Sequence, residues 1–237
     1  MIQGLYKIFD HWHTRGTVWI CSDPHFDDPE MVHLTPDKPS SEELVKLINS
    51  KVGRHDTLIV LGDICNPEWV KQLRGYKILI AGNHDAGLSN YERINRTVQF
   101  SKDFYSTAEK AKTDFLLGSH YENCEIIVRN KGEVWEIEAD NHLFDEVYGG
   151  PLMIGEKLIL SHEPVDVPWA FNIHGHDHSG WHGDDDHHLN VCLDRNEWTP
   201  LNFNRLMKNG IASKVESIHR ETIDRATKRS KKRKGKK

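Results

Sequence analysis

The chain has 237 residues, of which 37% are hydrophobic, and this size and composition suit one large domain with an ordinary core. No run of about 18 apolar residues occurs, so we expect no membrane-spanning helix and no membrane partner. The N-terminus lacks the basic start and apolar middle of a signal peptide, and the four cysteines form no CxxC pair, so we expect a cytoplasmic protein without disulfides.

The charge of the chain is unevenly distributed. The net charge is −5, but residues 225–237 (RATKRSKKRKGKK) contain nine basic residues and no acidic one. Such a segment is typical of a solvated, disordered end, and it can also serve as an arm that attracts nucleic acid. Both interpretations stay open. We expect one domain over residues 1–212 and a basic tail over residues 213–237.

The first third of the chain alternates apolar runs with helical patterns. TVWICSD, DTLIVLGD and YKILIAGNHD are rich in Val, Ile and Leu and close on polar residues, which is typical of strands buried on both faces. Between the first two, SSEELVKLINSKV has a serine cap and apolar residues at helical spacing. NPEWVKQLRG, from Pro67 to Gly75, predicts a second helix before the third strand. The strand–helix–strand order predicts parallel pairing, as in a βαβ unit.

The later part of the chain is mostly β in pattern. CEIIVRN, EVWEIEAD and LMIGEKLIL predict strands joined by tight turns at residues 130–132 and 154–155. EKLILSHEP, AFNIHGHDH and HHLNVCLD are again apolar runs that lead into His or Asp. We therefore predict an α/β front half and a β-rich back half in a single domain.

Polar side chains stand where these predicted strands end. The ends of parallel strands meet at one edge of a sheet, so we expect these side chains to lie close together although they are distant in sequence. Carboxylate, amide and imidazole donors suit Mn, Fe, Zn or Ni, and the set is large enough for two ions that share one carboxylate. The residues concerned are Asp23, His25, Asp63, Asn83, His84, His162 and His176.

The spacing of the candidate ligands predicts where their side chains point. In the pairs Asp23/His25 and His176/His178, alternate side chains of an extended segment would project to one side of the chain. Glycine precedes several of the candidate ligands, at points where we expect the chain to turn and backbone to pass close. These glycines are Gly62, Gly82 and Gly175.

Five short blocks, SDPHF, LGDI, AGNHD, SHEP and HGHDH, resemble in this order the signature of the calcineurin-like metallophosphoesterase superfamily. That signature is D-x-H, GD, GNH-[DE], a lone His and G-H-x-H. The blocks extend from Asp23 to His178, about two thirds of the chain, and the ending NVCLDRNEWTPLNF is similar to small stand-alone bacterial and phage members. The resemblance implies an α/β fold, a four-layer α/β/β/α sandwich in which two mixed β-sheets are flanked by helices.

The resemblance also implies a mechanism and a role for each matching residue. It implies two divalent transition-metal ions, Mn ahead of Fe, Zn or Ni, with a hydroxide between them that attacks the phosphorus of a phosphate ester. His84 would protonate the leaving oxygen, and Asp63 would bridge the ions. The remaining ligands would be Asp23, His25 and His178 for the first ion and Asn83, His162 and His176 for the second.

Two departures from the family pattern bear on the substrate. Protein phosphatases of the superfamily continue the second block as GDxxDRG, whereas this chain reads GDICNPE. Asn66 and Pro67 therefore replace the carboxylate partner of the general acid and the arginine that grips phosphate, which argues against a protein phosphatase. After the first block, FDDPE places Asp27 and Asp28 near the ligands, with no role that the pattern assigns.

Two more residues are candidates for contacts behind the ligands. Asp85 could orient His84 or cap the segment that follows it. His174 begins the stretch HGHDH, but a turn at Gly175 would break the alternation of side chains, which favours a supporting or packing role.

The sequence leaves more than one function open. We expect a phosphomonoesterase or a phosphodiesterase. The alternative is a nuclease or another nucleic-acid-processing phosphoesterase recruited by residues 225–237, which would use the same chemistry on a polymer. A non-catalytic metal-binding scaffold on the same fold is a further possibility, although such a protein would usually lose ligands or the GNH histidine, and this chain keeps them all. A plain interaction module is supported by the basic tail alone.

Overall fold

The computed structural model describes residues 4–117, 121–178 and 184–216, together with Arg225 and Lys228. Within these residues the α-helices are α1 (Met31–Leu34), α2 (Ser41–Lys51), α3 (Ala108–Leu116) and α4 (Phe203–Lys208), and 3-10 helices cover Lys7–His13, Pro67–Gln72, Leu88–Asn90 and Leu193–Arg195. The strands are β1 (Val18–Cys21), β2 (Thr57–Val60), β3 (Tyr76–Ile80), β4 (Asn95–Ser101), β5 (Glu125–Lys131), β6 (Val134–Asp140), β7 (Glu146–Tyr148), β8 (Leu152–Gly155), β9 (Leu158–Leu160), β10 (Phe171–His174), β11 (His188–Asn190) and β12 (Leu201–Asn202). The rest of the basic segment 225–237 lies outside the described residues. None of the described helices has the length and apolar character needed to cross a membrane.

The first sheet has the strand order β12-β1-β2-β3-β7. β1, β2, β3 and β7 run parallel, and β12 runs antiparallel to β1. The predicted parallel pairing of the three front strands is therefore confirmed. The predicted helix between the first two strands is α2, which begins with a capping box in which Ser40 Oγ accepts the backbone N–H of Glu43.

The second sheet has the order β11-β10-β9-β8, with β9, β10 and β11 parallel and β8 antiparallel to β9. The apolar runs predicted as strands in the back half of the chain form this sheet. Both sheets contain parallel and antiparallel pairs, so the prediction of an α/β fold with two mixed sheets is confirmed.

The two sheets share one hydrophobic core. Ile20, Ile59 and Ile78 of the first sheet lie in the same buried cluster as Leu160 and Ile173 of the second. Each such side chain contributes about 1.5–3 kcal/mol to folding when fully buried. The opposite face of the first sheet packs on α2 in a second cluster. The second sheet and α2 thus pack on opposite faces of the first sheet, and the four-layer arrangement stays a prediction.

A third sheet, of order β4-β6-β5, was not expected. It is antiparallel and packs on α3, where Ala111 and Phe115 meet Ile137 and Ala139. β5 and β6 correspond to predicted strands, but β4 and α3 escaped prediction. α3 buries two residues, and β4 has none that is fully buried, so neither has a strong apolar period.

The helix predicted from Pro67 to Gly75 is a shorter 3-10 helix that ends at Gln72. The reason is the buried side chain of Lys77. Its ammonium group donates to the backbone carbonyl oxygens of Val70 (3.2 Å), Leu73 (3.4 Å) and His142 (2.6 Å). Because these carbonyls are satisfied by a side chain, the segment need not continue as a helix.

The predicted domain boundary after residue 212 stays a prediction. Val215 is buried in the cluster between the two sheets, and its carbonyl oxygen accepts a hydrogen bond from Lys157 Nζ at 2.7 Å. The first residues of the predicted tail therefore pack against the domain.

Candidate metal centre

The loops that follow β1 and β2 are hydrogen-bonded to each other through their backbones. The N–H of Asp23 donates to Gly62 O (3.1 Å), and the N–H of His25 donates to Asp63 O (2.9 Å). Asp23, His25 and Asp63 have φ angles of 59°, 42° and 57°, so the expected extended Asp-x-His geometry is wrong. The chain turns tightly here to bring the two loops together, and the ligand side chains are aimed from left-handed backbone positions.

The second histidine pair departs from extended geometry in the same way. His176 has a φ angle of 66°, and the N–H of His178 donates to the carbonyl oxygen of His176 at 3.1 Å. The alternation predicted for His176 and His178 is therefore also wrong. The two side chains point to different groups of donor atoms.

Glycine is required where these loops approach each other most closely. A Cβ on Gly175 would lie 1.9 Å from Ser22 Oγ and 2.2 Å from Asp23 Oδ2. A Cβ on Gly82 would lie 2.2 Å from Asp63 Oδ1. The expectation that backbone passes close to the candidate ligands is confirmed at both glycines.

The first group of donor atoms is formed by Asp23, His25 and His178. Asp23 Oδ1 lies 3.7 Å from His25 Nε2 and 3.5 Å from His178 Nε2. All three atoms are buried, and none has a hydrogen-bond partner among the described residues. Donors bound to one ion at about 2.1 Å would lie about 3.0–3.4 Å apart, so a small contraction around a cation would satisfy all three.

The second group is formed by Asp63, His162 and His176, with Asn83 beside them. His162 Nε2 lies 3.3 Å from Asp63 Oδ2, 3.1 Å from His176 Nδ1 and 2.8 Å from Asn83 Oδ1. Asp63 and His162 are buried, whereas Asn83 and His176 are exposed. The second group is therefore open to solvent on one side.

Asp63 connects the two groups. Its Oδ2 atom lies 3.5 Å from His25 Nε2 in the first group and 3.3 Å from His162 Nε2 in the second. Its other oxygen accepts the backbone N–H of His84 at 3.0 Å. One oxygen of this carboxylate thus faces both sets of donors while the other holds the loop after β3.

Two carboxylates stand behind the first group. Asp28 Oδ2 lies 2.8 Å from Nδ1 of His25, and Asp194 Oδ2 lies 2.8 Å from Nδ1 of His178. The sequence drew attention to Asp28 without assigning a contact, and Asp194 was missed. The pattern did contain a signal for Asp194, because the run HHLNVCLD closes on this residue as other runs close on Asp23 and Asp63.

His84 is exposed and lies at the edge of the first group. Its ring centroid is 5.3 Å from that of His25, and its position is set by the hydrogen bond from its backbone N–H to Asp63. An exposed imidazole beside two groups of candidate metal ligands is placed to meet a molecule that binds there.

The side chain of Asp85 binds backbone N–H groups of two loops, and its expected roles, to orient His84 or to cap the next segment, stay predictions. Its buried carboxylate accepts the backbone N–H groups of Asp63 (2.8 Å), Ile64 (2.9 Å) and Gly82 (2.9 Å). It therefore ties the loop after β2 to the loop after β3. His174, at the end of β10, is fully buried, and its Nδ1 lies within hydrogen-bond distance of Gly175 O (2.8 Å).

Burial and neighbouring charged groups set the pKa values of the side chains around Asp23. Burial acts to raise the pKa of Asp23, but the adjacent imidazoles of His178 and His25 hold it well below its usual range. Burial acts to lower the pKa of His178, but the hydrogen bond to Asp194 and the nearby carboxylate of Asp23 raise it to about 10. Burial raises the pKa of Asp63. A positive charge next to Asp23 is therefore stabilised, and a metal ion would supply the same charge.

Comparison with known proteins places this centre in a family. The family model described as calcineurin-like phosphoesterase matches residues 16–199, which include both groups of donors. A comparison with curated proteins gives no match. Among solved structures, the chain is similar to the crystal structure of a protein of unknown function from Aquifex aeolicus, with 18% identity, a TM-score of 0.46, and coverage of 81% of this chain and 98% of that one.

The match covers most of the chain. The candidate ligands of all five sequence blocks lie together in the loops that follow the parallel strands of the first and second sheets. The chain therefore belongs to the calcineurin-like phosphoesterase family, a family of metal-dependent phosphoester hydrolases.

Proposed function

We propose that this protein is a dinuclear metal-dependent phosphohydrolase. The observation that carries the proposal is the position of Asp63 Oδ2, which lies 3.5 Å from a donor of the first group and 3.3 Å from a donor of the second. A carboxylate in that position is suited to bridge two ions. The other proposed ligands are Asp23, His25 and His178 for the first ion and Asn83, His162 and His176 for the second.

The donor set supports two divalent transition-metal ions. It consists of carboxylate, amide and imidazole groups, which suit Mn, Fe, Zn or Ni, and among these the family resemblance favours Mn. When bound, such ions supply an activated hydroxide and neutralise charge on the phosphoryl group. The chain's own part is to hold the donors in place through the paired loops and the close approach at Gly82 and Gly175.

His84 is proposed to protonate the leaving oxygen. Its side chain is exposed beside His25, and its backbone is held by Asp63, so the imidazole can reach a bound ester without being one of the clustered donors. A proton delivered in the transition state by a positioned histidine typically contributes about 10²–10⁴-fold to the rate.

The surroundings of the centre favour a phosphodiester over a phosphomonoester. A monoester carries close to two negative charges at neutral pH, and a diester carries one. Pro67 stands where related phosphatases have an arginine, and the amide of Asn66 donates to Asp27 rather than facing the centre. Among the described residues, the ion pairs of the proposed ligands are with His and Asp alone.

A paired assay tests the activity and the substrate class together. Hydrolysis of bis-p-nitrophenyl phosphate and of p-nitrophenyl phosphate is measured for the metal-free full chain after addition of Mn²⁺, Ni²⁺, Zn²⁺ or Mg²⁺. We expect turnover with at least one transition metal, loss of turnover on chelation, and a faster reaction of the diester. Turnover that survives removal of all metal would contradict a metal-dependent hydrolase.

A second candidate function is action on nucleic acid. It is motivated by the nine basic residues of segment 225–237, which lies for the most part outside the described residues. Binding to DNA or RNA through such a segment would weaken steeply as salt is added. Deletion of residues 225–237 should abolish this binding while leaving hydrolysis of the small diester intact. Equal binding by the two proteins would exclude a role for the tail.

A further inference from the structure

The two groups of donors differ in what stands behind their histidines. In the first group, Nδ1 of His25 and Nδ1 of His178 each lie 2.8 Å from a carboxylate, that of Asp28 or of Asp194. In the second group, Nδ1 of His162 donates to the backbone carbonyl oxygen of Leu61 at 2.8 Å. Charged partners therefore support the first group, whereas a neutral one supports His162.

These carboxylates determine which nitrogen faces the centre. A carboxylate accepts the proton on Nδ1, so the lone pair of each imidazole is left on Nε2. Nε2 of His25 and Nε2 of His178 are the atoms that point towards Asp23 Oδ1. A negatively charged partner on Nδ1 also makes the imidazole a stronger donor to a metal.

The two groups also differ in solvent exposure, and the first group is the more buried. Asp23 and His25 are buried, and His178 is partly buried. In the second group, Asn83 and His176 are exposed. The first group is thus preorganised by charge and by burial, whereas two ligands of the second group are exposed to solvent.

We infer that Asp28 and Asp194 are positioning residues that make the first group the tighter metal site, so that Asp23, His25 and His178 take up an ion before the second group does. The inference rests on the proposed function, because it requires that both groups bind an ion. It adds the order in which the two groups bind metal, and it attributes that order to Asp28 and Asp194, which are not proposed ligands.

A metal titration of the full chain tests this. Metal-free protein is titrated with Mn²⁺ by calorimetry, for the wild type and for Asp28→Ala, Asp194→Ala, Asp28→Asn and Asp194→Asn. Loss of a supporting carboxylate behind a metal-bound histidine typically weakens affinity about 10–100-fold. We expect the alanine variants to weaken the tighter site by that factor and to leave the weaker site unchanged. The asparagine variants keep an acceptor without the charge and should lie between wild type and alanine.

A matched control comes from a carboxylate–histidine pair away from the centre. Asp185 contacts Nδ1 of His188 at 3.0 Å on the surface, and neither residue belongs to the two groups. Asp185→Ala should bind Mn²⁺ as the wild type does. With Co²⁺ as the probe, the visible spectrum of the first equivalent bound should change in the Asp28 and Asp194 variants and not in the control, which a general loosening of the fold would not produce.

The possible outcomes separate the inference from the proposed function. If wild type binds two equivalents and the Asp28 and Asp194 variants keep its tighter affinity, the inference is wrong and the dinuclear centre stands. If the variants weaken both sites equally, or if the two wild-type sites have equal affinity, the inference is also wrong. If wild type binds fewer than two equivalents, the dinuclear proposal fails and takes the inference with it.

Discussion

The carboxylate of Asp85 accepts the backbone N–H of Asp63 at 2.8 Å. Its oxygens also accept the N–H groups of Ile64 and Gly82, at 2.9 Å each. One buried side chain therefore fixes the backbone of the residue proposed to bridge the two ions. It also fixes the start of the loop that carries Asn83 and His84.

Replacement of Asp85 by asparagine should destabilise the protein and weaken the centre. The amide group would turn one acceptor into a donor that faces a backbone N–H, and a buried hydrogen bond to a charged group is worth about 1.5–3 kcal/mol. We expect Asp85→Asn to lower the free energy of unfolding by about that amount and to reduce bound metal. Asp103→Asn, at an exposed position, is the control for urea unfolding. Equal stability of the two variants would show that Asp85 does not hold the loops.

Gly175→Ala should disturb the centre through a steric effect. The added methyl group would meet Ser22 Oγ at 1.9 Å and Asp23 Oδ2 at 2.2 Å, so Asp23 must move. Overpacking of this kind typically costs about 1–3 kcal/mol. We expect a lower Tm and less bound metal by elemental analysis. Gly150→Ala is the matched control, because its methyl group would meet no atom within 4 Å. Wild-type metal content in Gly175→Ala would contradict the close approach.

The sequence was sufficient to predict the helices and strands that bury clear apolar patterns. β1, β2, β3 and α2 were predicted because each presents a clear period and a clear end. It was not sufficient for the third sheet, since β4 and α3 bury few residues and depend on each other for packing. The shortened helix after Pro67 depends on Lys77, a contact that no local pattern could reveal.

The residues of the centre were easier to predict than their geometry. Asp23 and His25 were chosen from their position after a strand, but their backbone was expected to be extended, and both have a positive φ angle. The left-handed backbone arises from pairing with the loop after β2. In the bridge between Phe26 and Cys65, for example, the paired residues are 39 positions apart in the sequence. Contacts behind the ligands, such as Asp194 with His178, depend on the same tertiary pairing.

The buried ammonium group of Lys77 should give stability a distinct pH dependence. Burial lowers the pKa of Lys77 to about 8 in the folded protein, from an ordinary value of about 10.4. Between these two values the unfolded chain binds more protons than the folded one, so this group makes stability rise with pH. The gain from pH 7 to pH 9.5 should be roughly 2 kcal/mol.

A comparison with Lys77→Met isolates that effect. Urea unfolding of both proteins is measured at pH 7 and pH 9.5, and the difference in their free energies of unfolding is followed. The wild type should gain on the variant as pH rises, because the variant has no group that titrates at this position. The free energy of unfolding of the wild type minus that of the variant should therefore increase from pH 7 to pH 9.5. A value that stays constant or decreases would contradict the low pKa.

The division of roles between Asp63 and His84 is tested most directly by measuring turnover and bound metal in the same two variants. Asp63→Ala removes the oxygen that faces both groups of donors, whereas His84→Ala removes an exposed imidazole that belongs to neither. We predict that both variants lose hydrolysis of bis-p-nitrophenyl phosphate, by about 100-fold or more for His84→Ala, and that Asp63→Ala alone loses metal by elemental analysis. Equal metal content in the two variants would contradict a dinuclear centre bridged by Asp63.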